Sequence, residues 1–246
     1  METLHIIDSG PGWLVVDKPC DLSVHNEPGK DLISFLQRQI ESDPDLSKRL
    51  AYGKGSFIGP VHRLDRETSG VILLALTQET SRWFSQQFEH RHVIKKYMAV
   101  VHGSFSETGP LELVWDTPLS PEAGGRQDPQ GKGGKVPCAT GVRVIRQSPH
   151  YSLIECDLLT GRKHQIRRHA KLAGHPVLGD TRYGSKRAVD YVRTQCLFTR
   201  MGLHSLSLEV GMPGGFEKRI FRSEIPVEFL GVMDLDGHGL TRTNTD

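Results

Sequence analysis

The chain has 246 residues, of which 37% are hydrophobic and 24% charged, with 31 basic against 29 acidic side chains and a formal net charge of +2. This length buries a substantial core, and one domain is the default at ~200–250 residues. The balance is that of an ordinary soluble protein, excludes neither an enzyme nor a binding module, and by itself gives little support for a polyanionic partner. No apolar run approaches the ~20 residues of a membrane-spanning helix, and Met1–His5 lacks the layout of a signal peptide, so a cytoplasmic protein without membrane contact is expected. Cys20, Cys138, Cys156 and Cys196 lie far apart and form no C-x-x-C, which favours reduced thiols over zinc or disulfides.

In chain order, residues 4–7 and 13–17 read as two strands around Ser9-Gly10-Pro11-Gly12, with Pro19 ending the second. Asp31 caps a helix whose Leu32, Ile33, Leu36 and Ile40 recur at helical spacing, fading at Asp43-Pro44. The apolar run 70–76 is a buried strand ending at a second cap, Thr77, before a helix with Trp83, Phe84 and Phe88 on one side. Residues 95–102 form a strand in which Tyr97, Ala99 and Val101 alternate with Lys96, Met98 and Val100.

From 104 to 141 the composition turns to Gly, Pro and polar residues, which reads as a long mobile excursion over the surface. Residues 152–159 return to strand. Thr160 then caps a short helix with Gln165, Ile166, His169 and Ala173 on a packed face and Lys163, Arg167 and Lys171 on a basic one, stopped by Gly174 and Pro176. Residues 202–210 and 219–225 are further strands, and 237–246 reads as a frayed polar tail. Strands interspersed with helices, without regular βα alternation, predict an α+β fold: a mixed, mainly antiparallel sheet flanked by helices and loops. A single domain over 1–232 is expected, with a polar tail over 233–246.

Two segments stand out for chemistry. Arg162, Lys163, Arg167, Arg168 and Lys171 form a stripe with no acid among them, which can hold phosphates even when acids elsewhere cancel the total; a solvated helix face explains it equally well. Asp65, on the loop between Gly59-Pro60 and the buried strand, sits where catalytic groups often stand, yet a lone loop aspartate is more often a surface turn residue. Metal chemistry finds no support in spacing, since His164 and His169 are five apart and His90-Arg91-His92 has no partner set. There is likewise no P-loop and no G-x-G-x-x-G opening a helix, and no cofactor is expected.

Taken together, His62-Arg63-Leu64-Asp65-Arg66-Glu67-Thr68-Ser69-Gly70, Lys95-Lys96-Tyr97 and Thr160-Gly161-Arg162-Lys163-His164-Gln165-Ile166-Arg167-Arg168-His169 resemble the three signature motifs of the RluA-type RNA pseudouridine synthases. Lys18-Pro19, Gly174–Asp180 and Leu203-His204-Ser205 match that family's pattern in order, so the resemblance spans about residues 4–226. It implies a cofactor-independent isomerase acting on uridine in tRNA or rRNA, with Asp65 as the carboxylate at the sugar and Arg167 keeping it charged. It gives Tyr97 and Ile166 the uracil to pack on, and Arg63 the space vacated when the base flips out. Arg162 and Lys163 would bind RNA, and His62 would brace the loop. Nothing precedes the core where larger relatives carry an S4-like domain, so the resemblance is to the short members, with the wording of the third motif leaning towards tRNA. A monomer with no obligatory protein partner is expected. An RNA-binding module without chemistry would explain the basic stripe but not the aspartate loop, and a metal-dependent hydrolase lacks its ligands.

Overall fold

In the computed structural model, which describes residues 3–105, 112–215 and 217–237, the chain divides into two compact units. The first comprises residues 1–97 and 204–224, the second 98–203 and 225–246. Each unit has its own strands and helices.

In the first unit β1 (His5–Gly10) and β2 (Trp13–Lys18) make a hairpin, and β2 pairs antiparallel with β4 (Ser69–Ala75) from Trp13↔Ala75 to Lys18↔Gly70. The two-residue β3 (Gly59–Pro60) also pairs β4. On β4's other side runs β9 (Leu203–Gly211), parallel at Ser69↔His204 and Gly70↔Ser205, and β10 (Lys218–Arg222) pairs β9. Every residue of β4 is buried, which is why it reads as an unbroken apolar run rather than an alternating one. Helix α1 (Leu32–Ser42) starts at the expected cap, where Asp31 accepts from the Ser34 N–H. The fade at Asp43-Pro44 is instead a restart: Asp43 caps α2 (Pro44–Arg49), with proline at the first turn. Thr77 and Thr80 cap α3 (Gln78–Glu89) reciprocally. Its Phe84 joins Trp13, Val15, Val71, Leu73, Leu208 and Phe221 in the core, a burial worth ~1.5–3 kcal/mol for each large side chain.

Strand β5 (Ile94–His102) carries the chain into the second unit. There β6 (Glu112–Trp115), β7 (Thr140–Gln147) and β8 (Tyr151–Leu158) form an antiparallel meander, with α4 (Gln165–Leu172), α5 (Lys186–Gln195) and α6 (Val227–Gly237). The strands are thus mixed but mainly antiparallel, as expected for an α+β chain.

Several expectations are corrected. The described part of 104–141 is not a loose excursion: it contains β6, a bridge between Leu119 and Val136, and turns fixed by arginines. The tail does not begin at 233, because α6 is helical to Gly237; residues 238–246 lie outside the described residues. The expected alternation along β5 is absent, since Tyr97 to Val101 are all buried. The two helices α5 and α6 went unpredicted; in α6 apolar residues fall on both the buried side (Phe229, Val232, Met233) and the exposed side (Val227, Leu235), with Glu228 and Asp234 among them, so no periodic stripe marks it. All four cysteines are free thiols, and no helix among the described residues is long and apolar enough to cross a membrane.

Candidate functional site

The aspartate loop is fixed at both ends. At its start, the Leu73 N–H donates to His62 Nε2 at 3.0 Å, and the His62 ring stacks on Phe88 at 5.0 Å. That bond places the ring proton on Nδ1, and burial together with the charge of Lys95 pushes the His62 pKa down to about 3, so the imidazole is neutral and braces the loop. At its end, Gly70 has φ +104°, and a Cβ there would stand 2.2 Å from the Ser205 carbonyl oxygen, so only glycine admits the close β4–β9 approach. Between them Leu64 is buried, and the Thr68 N–H donates to the Asp65 carbonyl at 3.1 Å.

Behind the loop stands Lys18, with no exposed surface. Its ammonium donates to the carbonyls of Pro19 (2.8 Å), Leu22 (2.8 Å) and Arg66 (2.9 Å), tying the residue after Asp65 to the end of β2. Burial lowers its pKa to about 8, against the opposing pull of Cys20, Asp21, Glu67 and Asp65. Asp65 is half-buried and Arg63 exposed, while Leu64 between them is buried and the exposed Arg66 side chain pairs with Glu27.

Tyr97, 32 residues on, comes to the same place. It is buried, and burial first and the Asp65 charge second raise its pKa well above the ordinary phenol range, so it stays protonated at neutral pH. Its hydroxyl is hydrogen-bonded to Ser205, whose own Oγ–H donates to the Val71 carbonyl at 3.0 Å. Next to it, Ser69 Oγ and His204 Nδ1 share a hydrogen bond of 2.7 Å. The first unit thus brings Asp65 and Tyr97 together on a scaffold of β4 and β9.

The second unit gathers the residues of the third segment at the start of α4. The cap is not Thr160: His164 holds that position in a left-handed conformation (φ 54°) with no side-chain cap bond. Thr160 Oγ1 donates instead to Gln165 Oε1 (2.7 Å), which also accepts from the Arg162 N–H (3.0 Å), while Gln165 Nε2 donates to the Ala139 carbonyl (2.9 Å). The glutamine thus ties together the turn that precedes the helix rather than capping the helix itself.

The stripe is not a solvated face either. Arg167 and Arg168 are 1% and 0% exposed; among the described residues they are, with Tyr183 and Lys18, the largest fully buried side chains. Arg167 donates through Nε to Asp180 Oδ2 (2.7 Å) and through Nη2 to Asp180 Oδ1 (2.9 Å), a fork that fixes the guanidinium plane. Tyr183 stacks against it, 5.4 Å from the guanidinium carbon, and shares a 3.0 Å hydrogen bond with His164 Nδ1. Arg168 turns the other way, onto the backbone carbonyls of Ser120 (3.0 Å), Pro129 (2.6 Å) and Lys163 (3.2 Å) and also of Gln130. Ile166 is buried, Arg162 half-buried and Lys163 exposed.

Sequence reasoning missed Asp180 and Tyr183. The one available signal was the Gly174–Asp180 stretch, and nothing in a lone acid thirteen positions from an arginine shows that the two pair. No group of three or more His, Cys, Asp or Glu among the described residues could hold a metal ion.

A family model described as RNA pseudouridylate synthase matches residues 12–172. The chain is 34% identical over 218 residues to a tRNA pseudouridine synthase C of Pasteurella multocida, which covers 84% of this chain and 83% of that protein. It is 34% identical over 235 residues to a ribosomal large subunit pseudouridine synthase D of Neisseria meningitidis, covering 91% of this chain and 58% of that one. In fold it is similar to the solved human RNA pseudouridylate synthase domain containing 4, with a TM-score of 0.72 over 94% of this chain and 92% of that chain at 24% identity.

Proposed function

The chain belongs to the RluA-type RNA pseudouridylate synthase family, and on that footing we propose that it isomerises uridine to pseudouridine in tRNA, with Asp65 as the reacting carboxylate. Isomerisation breaks the C1′–N1 bond, turns the uracil and joins its C5 to C1′; the C5 proton is released, N1 gains one, and no electrons are exchanged. The step needs an ionised carboxylate beside the sugar, either as nucleophile at C1′ or as the base that starts glycosidic cleavage.

The observation that carries this reading is the meeting of Asp65 with Tyr97. A carboxylate on a loop clamped by Lys18, His62 and Gly70 lies within electrostatic reach of a phenol that burial keeps protonated. The Tyr97 ring then offers a flat face for the flipped uracil, and its hydroxyl a fixed partner near the reacting carbon. Arg63, exposed two residues before Asp65, fits the part of the guanidinium that stacks in the gap left by the base, a step costing a few kcal/mol. Parts for Arg167 in the reaction, for Ile166 at the base and for Arg162 and Lys163 on the RNA rest on the resemblance of the 160–169 segment. The choice of tRNA over rRNA rests on the relatives named tRNA pseudouridine synthase C, which the chain matches over most of both lengths.

The test is tritium release from 5-tritiated uridine in unmodified tRNA transcripts. Wild-type protein releases tritium without added metal, and Asp65→Asn abolishes release while keeping RNA binding. Substantial release by Asp65→Asn would remove Asp65 from the reaction.

A further inference from the structure

The segment from Ser120 to Lys135 has the composition of a floppy linker and the hydrogen bonding of a built element. Desolvating a guanidinium costs several kcal/mol unless its donors are met. Arg168, wholly buried, directs its donors onto the carbonyls of Ser120, Pro129 and Gln130, all in this segment. Arg182 holds the tip through the Gly124 carbonyl (2.9 and 3.0 Å), and Arg126 reaches back to the Thr181 carbonyl (3.1 Å). Inside the segment the Gly131 N–H donates to Asp128 Oδ1 at 3.1 Å, and a Cβ on Gly124 would stand 1.9 Å from the Asp128 carbonyl oxygen.

Three of its glycines have another character. A Cβ on Gly125, Gly133 or Gly134 would meet nothing within 4 Å, and neither Gly125 nor Gly134 has a positive φ. Neither packing nor backbone conformation within this chain requires glycine at those two positions. The Gly125 N–H already donates to the Asp128 carbonyl at 3.1 Å and its neighbour Arg126 is held on Thr181, so the bare backbone that matters is Gly134, between exposed Lys132 and Lys135, the latter donating to the Gly131 carbonyl. Bare backbone beside cations on a pre-shaped loop is what a close phosphate approach uses, because the N–H groups and the charges act together where a side chain would hold the phosphate off. Prior ordering of the loop also removes the entropy that binding would otherwise lose.

We infer that residues 120–135 form a pre-organised face for the phosphate backbone of the RNA substrate, contributing affinity rather than chemistry. The inference rests on the RNA-modifying reading above and extends it to a surface. Lys132→Glu and Gly134→Val alter exposed positions, whereas Lys48→Glu reverses an exposed charge on α2 as a control. Binding is measured by filter retention with the full chain carrying Asp65→Asn, against unmodified tRNA transcripts and, in a second arm, unmodified ribosomal RNA.

Each loop variant weakens tRNA binding about tenfold, and Lys132→Glu lowers the slope of log K against log salt by about 0.7–0.9, the value of one phosphate contact. The control leaves both unchanged. In the active background the loop variants raise KM and leave kcat within about twofold, as loss of uniform binding requires. Equal weakening in the ribosomal arm makes the face a general phosphate contact; weakening in the tRNA arm alone makes it selective. Both outcomes support the inference. Unchanged affinity and salt slope in both loop variants, with wild-type binding intact, would overturn it. Absence of RNA binding and of tritium release in the wild type would overturn the functional reading, and this inference with it.

Discussion

Replacing Asp180 with Asn separates two tasks that its carboxylate performs at once. Oδ1 receives the N–H groups of Arg182 (2.9 Å) and Tyr183 (3.0 Å) together with Arg167 Nη2, whereas Oδ2 receives Arg167 Nε alone at 2.7 Å. An asparagine with its oxygen at the Oδ1 position keeps the turn and sets an NH2 group against Nε–H, donor against donor. The Arg167 guanidinium then faces a neutral amide instead of a carboxylate, in a site where both side chains are essentially unexposed. Removing one partner of such a pair costs about 3–5 kcal/mol, and the retained turn bonds place Asp180→Asn near about 3 kcal/mol. In a chain of this size that is a fall in melting temperature of about 6–12 °C. If Arg167 acts in the reaction, losing the fork that sets its plane moves it by a fraction of its length, and a displacement of about 1 Å costs on the order of 100-fold in kcat. Tritium release well below the melting point reads the second effect apart from the first, with KM expected to change little. A double-mutant cycle supplies the control: in an Arg167→Met background, Asp180→Asn should cost almost nothing further in kcat, because the group it positions has gone. A variant that melts with the wild type and keeps kcat within about threefold would refute the positioning argument.

Two further outcomes follow from the loop. The folded-state pKa of His62 lies at about 3 against 6.5 unfolded, so its contribution to stability is full above pH 6.5 and is lost as pH falls from there towards 3. Between pH 7 and 5 this amounts to at most about 2 kcal/mol, and His62→Gln should flatten the acid limb of melting temperature against pH by that amount; an unaltered limb would show that His62 is protonated in the folded protein. Lys18→Met withdraws the donor from three carbonyls at about 1 kcal/mol or more each, so a loss of about 3 kcal/mol by chemical denaturation is expected. Tritium release at low temperature should fall further than stability does, because Arg66 adjoins Asp65; full activity in the folded variant would mean that the clamp does not position the loop.

What was legible in the sequence divides along physical lines. Elements that bury one periodic stripe or one short apolar run were readable: α1 with Leu32, Leu36 and Ile40 inside, β4 without a polar residue between Val71 and Ala75, and the caps Asp31 and Thr77. Each states its environment locally. Helix α6 does not, because its apolar residues face both inward and outward with Glu228 and Asp234 among them; α5 buries only Val189 and Val192, and α2 is too short and too polar for periodicity to reveal it. The aspartate loop was legible only through its resemblance to a family, because the groups that fix it come from elsewhere: Lys18 from β2, Leu73 from β4, Ser205 from β9. No local pattern records a hydrogen bond between residues 48 or 134 positions apart.

The basic stripe marks where local reasoning fails for a physical reason rather than for want of signal. Arg167 and Arg168 are adjacent, carry the same side chain and sit on one short helix, so sequence assigns them one environment; their surroundings send one to a carboxylate and the other to a set of carbonyls. Those acceptors lie at 180 in one case and at 120, 129 and 130 in the other, in stretches that read as turn and linker. A charge is affordable inside a protein only where distant backbone has been shaped to receive it. A run of cations is therefore ambiguous in sequence in a way an apolar run is not: the apolar run is buried whatever meets it, while the cation is buried only if its acceptors fold into place. The dependence runs both ways, because the Ser120–Lys135 segment has little apolar side chain to hold it and takes its shape from the guanidinium it surrounds.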